Sequence, residues 1–430
     1  MNEGKIVTGV DIGTSKIVSL IARVDDDSVN VLGVSEVASR GVKKGQIVDI
    51  KDAVESINNS LDGAERMAGY SVSHIVASMG GSQIESQNSR GVVAVSSPQG
   101  EITESDLNRV IDAAKAVSLP STRQIVHVLP RNYVVDGQEG IKDPIGMTGI
   151  RLEVDTHIIS AASMSLMNLE KAFSQVGIDI DGVAFSGLAS SLAVLSETEK
   201  ELGVVLVDIG AGTADISIYS EGSVAYSSVL PIGARHITND LAIGLRISLE
   251  SAEKIKIYLS NSSKKPKIER LGQTFERDTK NSDEIDLSSL GLPEDLRKVS
   301  HKTLTDGIIR PRLNELFTMI GLEVKRSGYA GQTPAGIVVT GGGALTVGIA
   351  DSAKRTLAMP VRVGIPINIK GLIDEIETPA FATVVGLAIF GKDLNIKKSL
   401  PFGIGIPNIG DLGFNKVLTR IVNLAKSFMP

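Results

Sequence analysis

The sequence predicts an α/β protein made of two similar halves that close on a shared ligand, and three observations carry that expectation. "TGVDIGTSK" at 8–16 and "VLVDIGAGTAD" at 205–215 write Val-Asp-Ile-Gly twice, each copy passing from an apolar stretch through small residues into another alternating stretch. A third glycine cluster, in "AGIVVTGGGALTVGIADSAKRTL" at 335–357, follows a short β-branched run and precedes apolar residues at helical spacing. With 430 residues, 42% of them hydrophobic, the chain can bury large cores and should divide into at least two domains.

Period-two alternation reads 5–10 and 17–24 as strands joined at Gly13-Thr14-Ser15, and 203–207 and 215–219 as strands joined at Gly210-Ala211-Gly212-Thr213. Glycine and hydroxyl residues at such turns leave backbone N–H groups unobstructed, and these cradle phosphate oxygens without a positive side chain. Lys16 would add a charge to the first turn. Asp11 and Asp208 stand at the strand ends, where a largely hydrated Mg²⁺ held by phosphates needs a carboxylate nearby. Asp-x-Gly also occurs at ordinary β-turns, so the repetition, not either copy, favours a clamp. In the third cluster, 337–339 reads as a buried strand and Leu345, Ile349 and Leu357 as a helix face. Gly341, Gly342 and Gly343 between them would let a ribose or flat ring approach the backbone. The chain carries neither a lysine-bearing P-loop nor a dinucleotide fingerprint.

Between the two turns, "ITESDLNRVIDAAKAV" opens with a Thr-x-x-Asp capping pattern and places Leu107, Val110, Ile111 and Ala114 on one face. Strand-like "RQIVHVLPRNYVV" follows, which predicts a small β-α-β domain. The polar stretch 260–302 reads as loops and edge structure, and "TPAFATVVGLAIFG" as a buried helix crossing between the halves.

A formal net charge of −6 without a long basic stripe argues against nucleic acid as a partner. The absence of cysteine removes disulfides, thiolate nucleophiles and cysteine-ligated metals, and fits a reducing compartment. The first residues lack a signal pattern and the longest apolar run, "FATVVGLAIFG" at 381–391, is too short to span a bilayer, so a cytoplasmic protein is expected. His74, His127, His157, His236 and His301 are scattered without metal spacing and read as structural.

After Gly391, glycine and proline density suggests a linker, followed by "FNKVLTRIVNLAKSFM". Phe414, Val417, Leu418, Ile421, Ala425 and Phe428 share one helical face, while Lys416, Arg420 and Lys426 lie on the other with no acid. That pattern suits an interfacial helix drawn to anionic lipid, with docking on the protein's own core or on a partner as the plain alternative.

The order of two phosphate-turn hairpins and a Gly-Gly-Gly loop resembles the actin, sugar kinase and heat-shock chaperone ATPase superfamily. Within it, "VTGVDIGTSKIVSLIARV", "ELGVVLVDIGAGTADISIY", "GIVVTGGGALTVGI", the inserted segment and the tail together resemble the bacterial FtsA division family, from about residue 5 to the end. The resemblance implies an actin-like two-lobed ATPase fold with duplicated ribonuclease-H-like domains. Domain 1A would take 1–82 and 164–195 with a returning helix near 385–396, and the inserted domain 1C would take 83–163. Domain 2A would take 196–233 and 331–384, 2B would take 234–330, and a linker at 397–412 would lead to a membrane-binding helix at 413–430.

ATP with Mg²⁺ is the implied cofactor. Gly13, Thr14, Ser15 and Lys16 match the first phosphate turn, Gly210, Ala211, Gly212 and Thr213 the second, Asp11 and Asp208 the carboxylates near the metal, and Gly341, Gly342 and Gly343 the adenosine loop. "SAEKIKIY" at 251–258 resembles the helix bordering adenosine, which makes Glu253 and Lys256 ribose or base contacts, or simply an exposed ion pair. Superfamily members that hydrolyse well place Gln or Glu near the attacking water on the helix before the second hairpin. Here that helix reads "GLASSLAVLSETEKELG", with Ser190 and Ser191 about there and Glu197 and Glu199 toward its end, so tight binding with at most slow hydrolysis is implied.

The family further implies a self-associating protein, peripheral to the cytoplasmic face of the membrane at the division site. It would bind the C-terminal peptide of the tubulin-like protein FtsZ through 2B, where Arg310 and Arg312 could face an acidic peptide, and other division proteins through 1C. A sugar or carboxylate kinase of the same superfamily is the alternative, but a kinase has no use for the amphipathic tail.

Overall fold

The two Val-Asp-Ile-Gly copies close hairpins with the same hydrogen bond: Gly13 N–H donates to Lys16 O at 3.1 Å, and Gly210 N–H to Thr213 O at 2.9 Å. The structure is a computed structural model that describes residues 4–394 apart from 27, 263–282, 295 and 372–375. Residues 395–430 form a separate unit. The linker and amphipathic helix expected at 397–430 therefore lie outside the described residues.

In the first half, β1 (Lys5–Ile12), β2 (Lys16–Val24) and β3 (Val29–Ala38) form an antiparallel meander. A small ribbon of β4 (Val42–Lys43) and β5 (Gln46–Ile47) and helix α1 (Ile50–Ala68) lead to β6 (His74–Met79), parallel to β1. The chain then enters the insertion: β7 (Glu85–Ala94), α2 (Glu104–Lys115), β8 (Arg123–Val135), β9 (Gln138–Ile141) and β10 (Arg151–Ala162). These strands make an antiparallel sheet ordered β7-β10-β8-β9 with its own core around Val110, Leu152 and Val154. The capping pattern at Thr103 is realised, since Asp106 completes the box. Although burial opposes it, hydrogen bonds from Ser96 and Thr103 hold the Asp106 carboxyl well below the usual range.

Helix α3 (Ser163–Val176) and β11 (Asp179–Phe185), parallel to β6, complete the first half, and α4 (Ser186–Val194) and α5 (Glu197–Leu202) leave it. The pattern then repeats as β12 (Val204–Ile209), β13 (Ala214–Ser220) and β14 (Ser223–Leu230), antiparallel. Helices α6 (Arg235–Leu245) and α7 (Leu249–Ser262), a ribbon of β15 (Glu284–Asp286) and β16 (Lys298–Ser300), and α8 (Arg310–Arg326) follow. The chain returns through β17 (Ile337–Thr340) parallel to β12, α9 (Ile349–Leu357), and β18 (Val361–Val363) parallel to β17. The sheets thus share one order, β3-β2-β1-β6-β11 and β14-β13-β12-β17-β18; one face of the second sheet has a core of its own, and Val204, Leu206 and Val338 on its other face join the core of the first. This is the duplicated α/β architecture expected of the two glycine turns.

Three local readings change. Strand β19 (Ile369–Gly371), assigned to 2A by the boundaries above, pairs instead with β3 as a sixth strand of the first sheet. The span 187–203, expected as one helix, is broken because Ser196 and Glu199 form a capping box that starts α5. The stretch expected as loops and edge structure begins with the end of helix α7 and contains the β15–β16 ribbon, while 263–282 lie outside the described residues. Helix α10 (Ala382–Asp393) packs on α4, β1 and β2, where a Cβ on Gly386 would stand 1.7 Å from Ala189 O.

The insertion also touches the second half. Ser86 Oγ donates to Ser227 O at 2.6 Å, and His157 bridges Asn88 Oδ1 at 2.7 Å and Ser227 Oγ at 3.0 Å. Burial, with Arg131 nearby, lowers the His157 pKa to about 3, so this seam holds a neutral imidazole.

Candidate functional site

Both glycine turns open on one cavity of 290 Å³, walled by residues 11–16, by Asp208, Gly210, Ala211, Thr213 and Asp215, by Gly341, Gly342 and Gly343, and by Glu253 and Lys256 of α7. That size is close to the lower end for small-ligand pockets. The start of α6 fixes the second turn: Ala234 N–H donates to Gly210 O and Arg235 N–H to Ala211 O, both at 2.9 Å.

Three carboxylates line the cavity beside the two glycine turns. Asp11 accepts from Ser78 Oγ at 2.7 Å, yet burial pushes its carboxyl up. Asp208 accepts from Thr383 Oγ1 at 2.8 Å, and burial, reinforced by the charge of Asp11, pushes it to about 6. Asp215 stands directly opposite Asp208 across the β12–β13 hairpin. Burial first, then Asp208 and Asp11, push Asp215 well above the usual range, and its Oδ1 has no hydrogen-bond partner among the described residues. Like charges facing each other on a hairpin are destabilising unless a cation or proton comes between them. Among the described residues no group of three or more acidic or histidine side chains could hold a metal ion, so a cation here would draw most of its ligands from water and bound phosphate.

The glycines divide by role. Gly341 has φ +80, and a Cβ there would stand 2.1 Å from Asp208 Oδ1; a Cβ on Gly343 would stand 2.4 Å from Ile209 Cγ2. Both are small so that the loop can lie on β12. A Cβ on Gly342 would meet only Ala380, at 4.0 Å, and so has open space in the cavity. Gly212 does not wall the cavity; a Cβ there would meet Thr14 Oγ1 at 3.0 Å, so this glycine lets the two turns approach each other.

On α7 Glu253 and Lys256 form an ion pair of 2.7 Å that lines the cavity with Lys256 buried, and Lys256 Nζ also donates to Thr238 Oγ1 at 2.9 Å. Lys16 lines the cavity too, paired with Glu36 at 2.6 Å and 4.3 Å from the Phe381 ring centroid. Ser190 and Ser191 are not cavity residues. Both are buried, with Ser190 beside Asp208 and Ser191 Oγ bonded to Leu188 O at 2.6 Å and to the Tyr219 hydroxyl. The serine that α4 offers the cavity is Ser186, in its first turn.

Two family models match this chain: SHS2 domain inserted in FTSA over residues 81–160, the span of the insertion, and Cell division protein FtsA over 205–386. A cell division protein FtsA from Pseudomonas aeruginosa is 40% identical, covering 91% of this chain and 90% of its own length. The chain belongs to the FtsA family of cell division proteins. FtsA relatives from Borreliella burgdorferi, 40% identical over 90% of each chain, and Escherichia coli K12, 34% identical over 91% of each, run along the same extent. Among solved structures, a chain of the PilM-PilN type IV pilus biogenesis complex superposes with a TM-score of 0.62 at 15% identity, over 90% of this chain and 98% of that one. MreB5 of Spiroplasma citri bound to ADP gives 0.50 at 14% identity, over 90% and 95%. At those identities the likeness is one of fold.

In this FtsA-family chain the arginines proposed for peptide binding are engaged. Arg312 makes two hydrogen bonds to Asp240, at 2.5 and 2.9 Å, and one to Glu315 at 2.6 Å, while Arg310 pairs with Asp306 at 2.9 Å. Glu199 caps α5 and also takes two hydrogen bonds from Arg362, at 2.6 and 2.7 Å. Sequence reasoning missed Asp215, Ser186, Gly45, Gly80 and Thr383 in the cavity wall. Asp215 was within reach, because a turn closed by Gly210 and Thr213 pairs 209 with 214 and 208 with 215. The others come from distant segments and carry no local pattern.

Proposed function

We propose that the cleft binds ATP with Mg²⁺ and that the nucleotide-bound body joins a C-terminal membrane helix to the division ring. The observation that carries the nucleotide reading is the single cavity shared by both glycine turns, the Gly342 loop and the Glu253–Lys256 pair. The MreB5 structures of this fold contain ADP and AMPPNP, which supports a nucleotide as ligand. In this reading the backbone N–H groups of Thr14, Ser15, Ala211 and Thr213 receive the phosphates while Gly13 N–H stays bonded within its turn, Gly342 lies under the adenosine, and Glu253 and Lys256 face the ribose or base.

The acids fit a hydrated Mg²⁺: three carboxyls held above their usual range, Asp208 and Asp215 buried and Asp11 half-buried, one with an unpartnered oxygen, need a positive charge. Asp11, Asp208 and Asp215 would hold the ion through its waters, and the ion would neutralise phosphate charge. Neither glutamine nor glutamate from α4 reaches the cavity, which supports slow hydrolysis and a nucleotide that mainly holds the cleft closed.

The tail residues Phe414, Val417, Leu418, Ile421 and Phe428 would sit among lipid tails, and Lys416, Arg420 and Lys426 among anionic headgroups at the cytoplasmic face. The body would self-associate, bind the FtsZ C-terminal peptide near α8 and meet other division proteins through the insertion. An acidic peptide at Arg310 and Arg312 has to displace Asp306, Asp240 and Glu315 first. Calorimetric titration of ATP·Mg²⁺ into the protein tests the cleft. Binding that is abolished by Gly342→Val supports the reading; no heat at millimolar ATP overturns it.

A further inference from the structure

Gln83, where the chain enters the insertion, is 7% exposed, and the nucleotide reading uses none of its atoms. Its Nε2 donates to Gly45 O at 3.1 Å and to Gly80 O, its Oε1 accepts from Gln46 Nε2 at 2.7 Å, and its backbone carbonyl accepts from Arg123 Nη2 at 2.9 Å. Two backbone carbonyls on one amide nitrogen fix the orientation of the carboxamide, because carbonyls only accept.

Each partner leads to a different part of the molecule. Gly45 N–H donates to Thr14 Oγ1 at 3.1 Å, which seats the β4–β5 turn on the first glycine turn. Gly80 lies against the acid cluster, since a Cβ there would stand 3.2 Å from Asp215 Oδ1 and 3.0 Å from Ser186 Oγ. Arg123 opens β8 and also donates to Ser160 in β10, at the base of the insertion.

We propose that Gln83 is a positioning residue that ties the phosphate end of the cleft to the inserted domain. The proposal rests on the nucleotide reading above. A phosphate bound beside Thr14 needs the Gly45 turn to keep its place, and Gln83 holds that turn and Gly80 together while its own backbone is held by Arg123. Coupling of this kind is reciprocal: a nucleotide that stiffens the base of the insertion binds more weakly when that base is loosened.

The test uses the full chain, unlabelled ATP·Mg²⁺, calorimetry and hydrogen exchange. Gln83→Glu keeps the size but sets an acceptor against Gly45 O and Gly80 O; Gln46→Ala only removes the donor to Gln83 Oε1. Gln83→Glu should weaken ATP binding about tenfold or more, the scale expected for losing buried hydrogen bonds, and Gln46→Ala should weaken it less. In the wild type, ATP should slow exchange at 44–46 and 123–125. In Gln83→Glu at saturating ATP that slowing should be lost at both places but kept at 341–343. A role confined to stability would lower the melting temperature and leave the exchange pattern intact, which overturns the proposal. Wild-type affinity in both variants, or slowing at 44–46 without slowing at 123–125 in the wild type, overturns it as well. If Gln83→Glu does not fold, Gln46→Ala decides alone. A wild type that binds no ATP overturns the cleft reading and this proposal together, whereas ATP binding equal in wild type and variants overturns this one only.

Discussion

Asp208 and Asp215 face each other across two paired strands, both buried, and that pairing sets a pH dependence. The folded-state pKa of Asp208, about 6, lies above its value of 3.8 in an unfolded chain. A raised acid contributes stability that is full below 3.8 and is lost as the pH rises through 6. At pH 7, without nucleotide, the ionised Asp208 should cost up to about 3 kcal/mol. Asp208→Asn should therefore be the more stable protein at pH 7, with the advantage fading as the pH falls to 4. Thermal unfolding of both proteins across that range checks this; a constant difference contradicts it. Saturating Mg²⁺ with ATP should remove the advantage by stabilising the wild type. Asp11 and Asp208 were legible in the sequence because they end strands beside glycine turns. Asp215 was not noticed because it reads locally as one polar residue in an alternating strand, and only its cross-strand register reveals it.

At the scale of elements, the glycine loop after β17 separates ligand contact from packing. Gly342→Val should abolish ATP binding with little loss of stability, since its side chain enters open space. Gly343→Ala should instead cost about 1–3 kcal/mol, because its Cβ meets Ile209. Urea unfolding and ATP titration of each variant distinguish the two; loss of binding and stability together at Gly342 contradicts the assignment. Helix α8 supplies a second case. Arg312→Glu leaves Asp240 and Glu315 facing a third acid, so a loss of about 1–2 kcal/mol is expected alongside weaker binding of an acidic FtsZ peptide. Unchanged peptide affinity in a fluorescence titration removes Arg312 from the peptide site. The strands and hairpins were legible because alternation and glycine turns are local signals. The pairing of β19 with β3 and the burial of Ser190 and Ser191 were not, because each is decided by a partner far along the chain, whereas the break between α4 and α5 carries a local signal, the Ser196–Glu199 capping box, that was passed over.

At the scale of the molecule, duplication was readable from two short repeats, and the sheet orders bear it out. The insertion was readable as a domain, but its seam with β14 was not, since Ser86, Asn88 and His157 are unremarkable until the fold sets Ser86 and His157 on Ser227 and Asn88 on Ala225. The membrane helix proposed at 413–430 adds the membrane to the account. One amphipathic helix of about six apolar side chains gives only modest affinity, so attachment should depend on several tails held by associated bodies. If ATP favours association by closing the cleft, it should also favour membrane binding. Co-sedimentation with anionic vesicles, with and without ATP·Mg²⁺, tests this most directly, using the full chain and a chain ending at residue 412. The full chain should pellet with vesicles, more completely with ATP, and the shortened chain should stay folded and in the supernatant under both conditions. A shortened chain that still pellets with vesicles, or a full chain whose pelleting ignores ATP, contradicts the account.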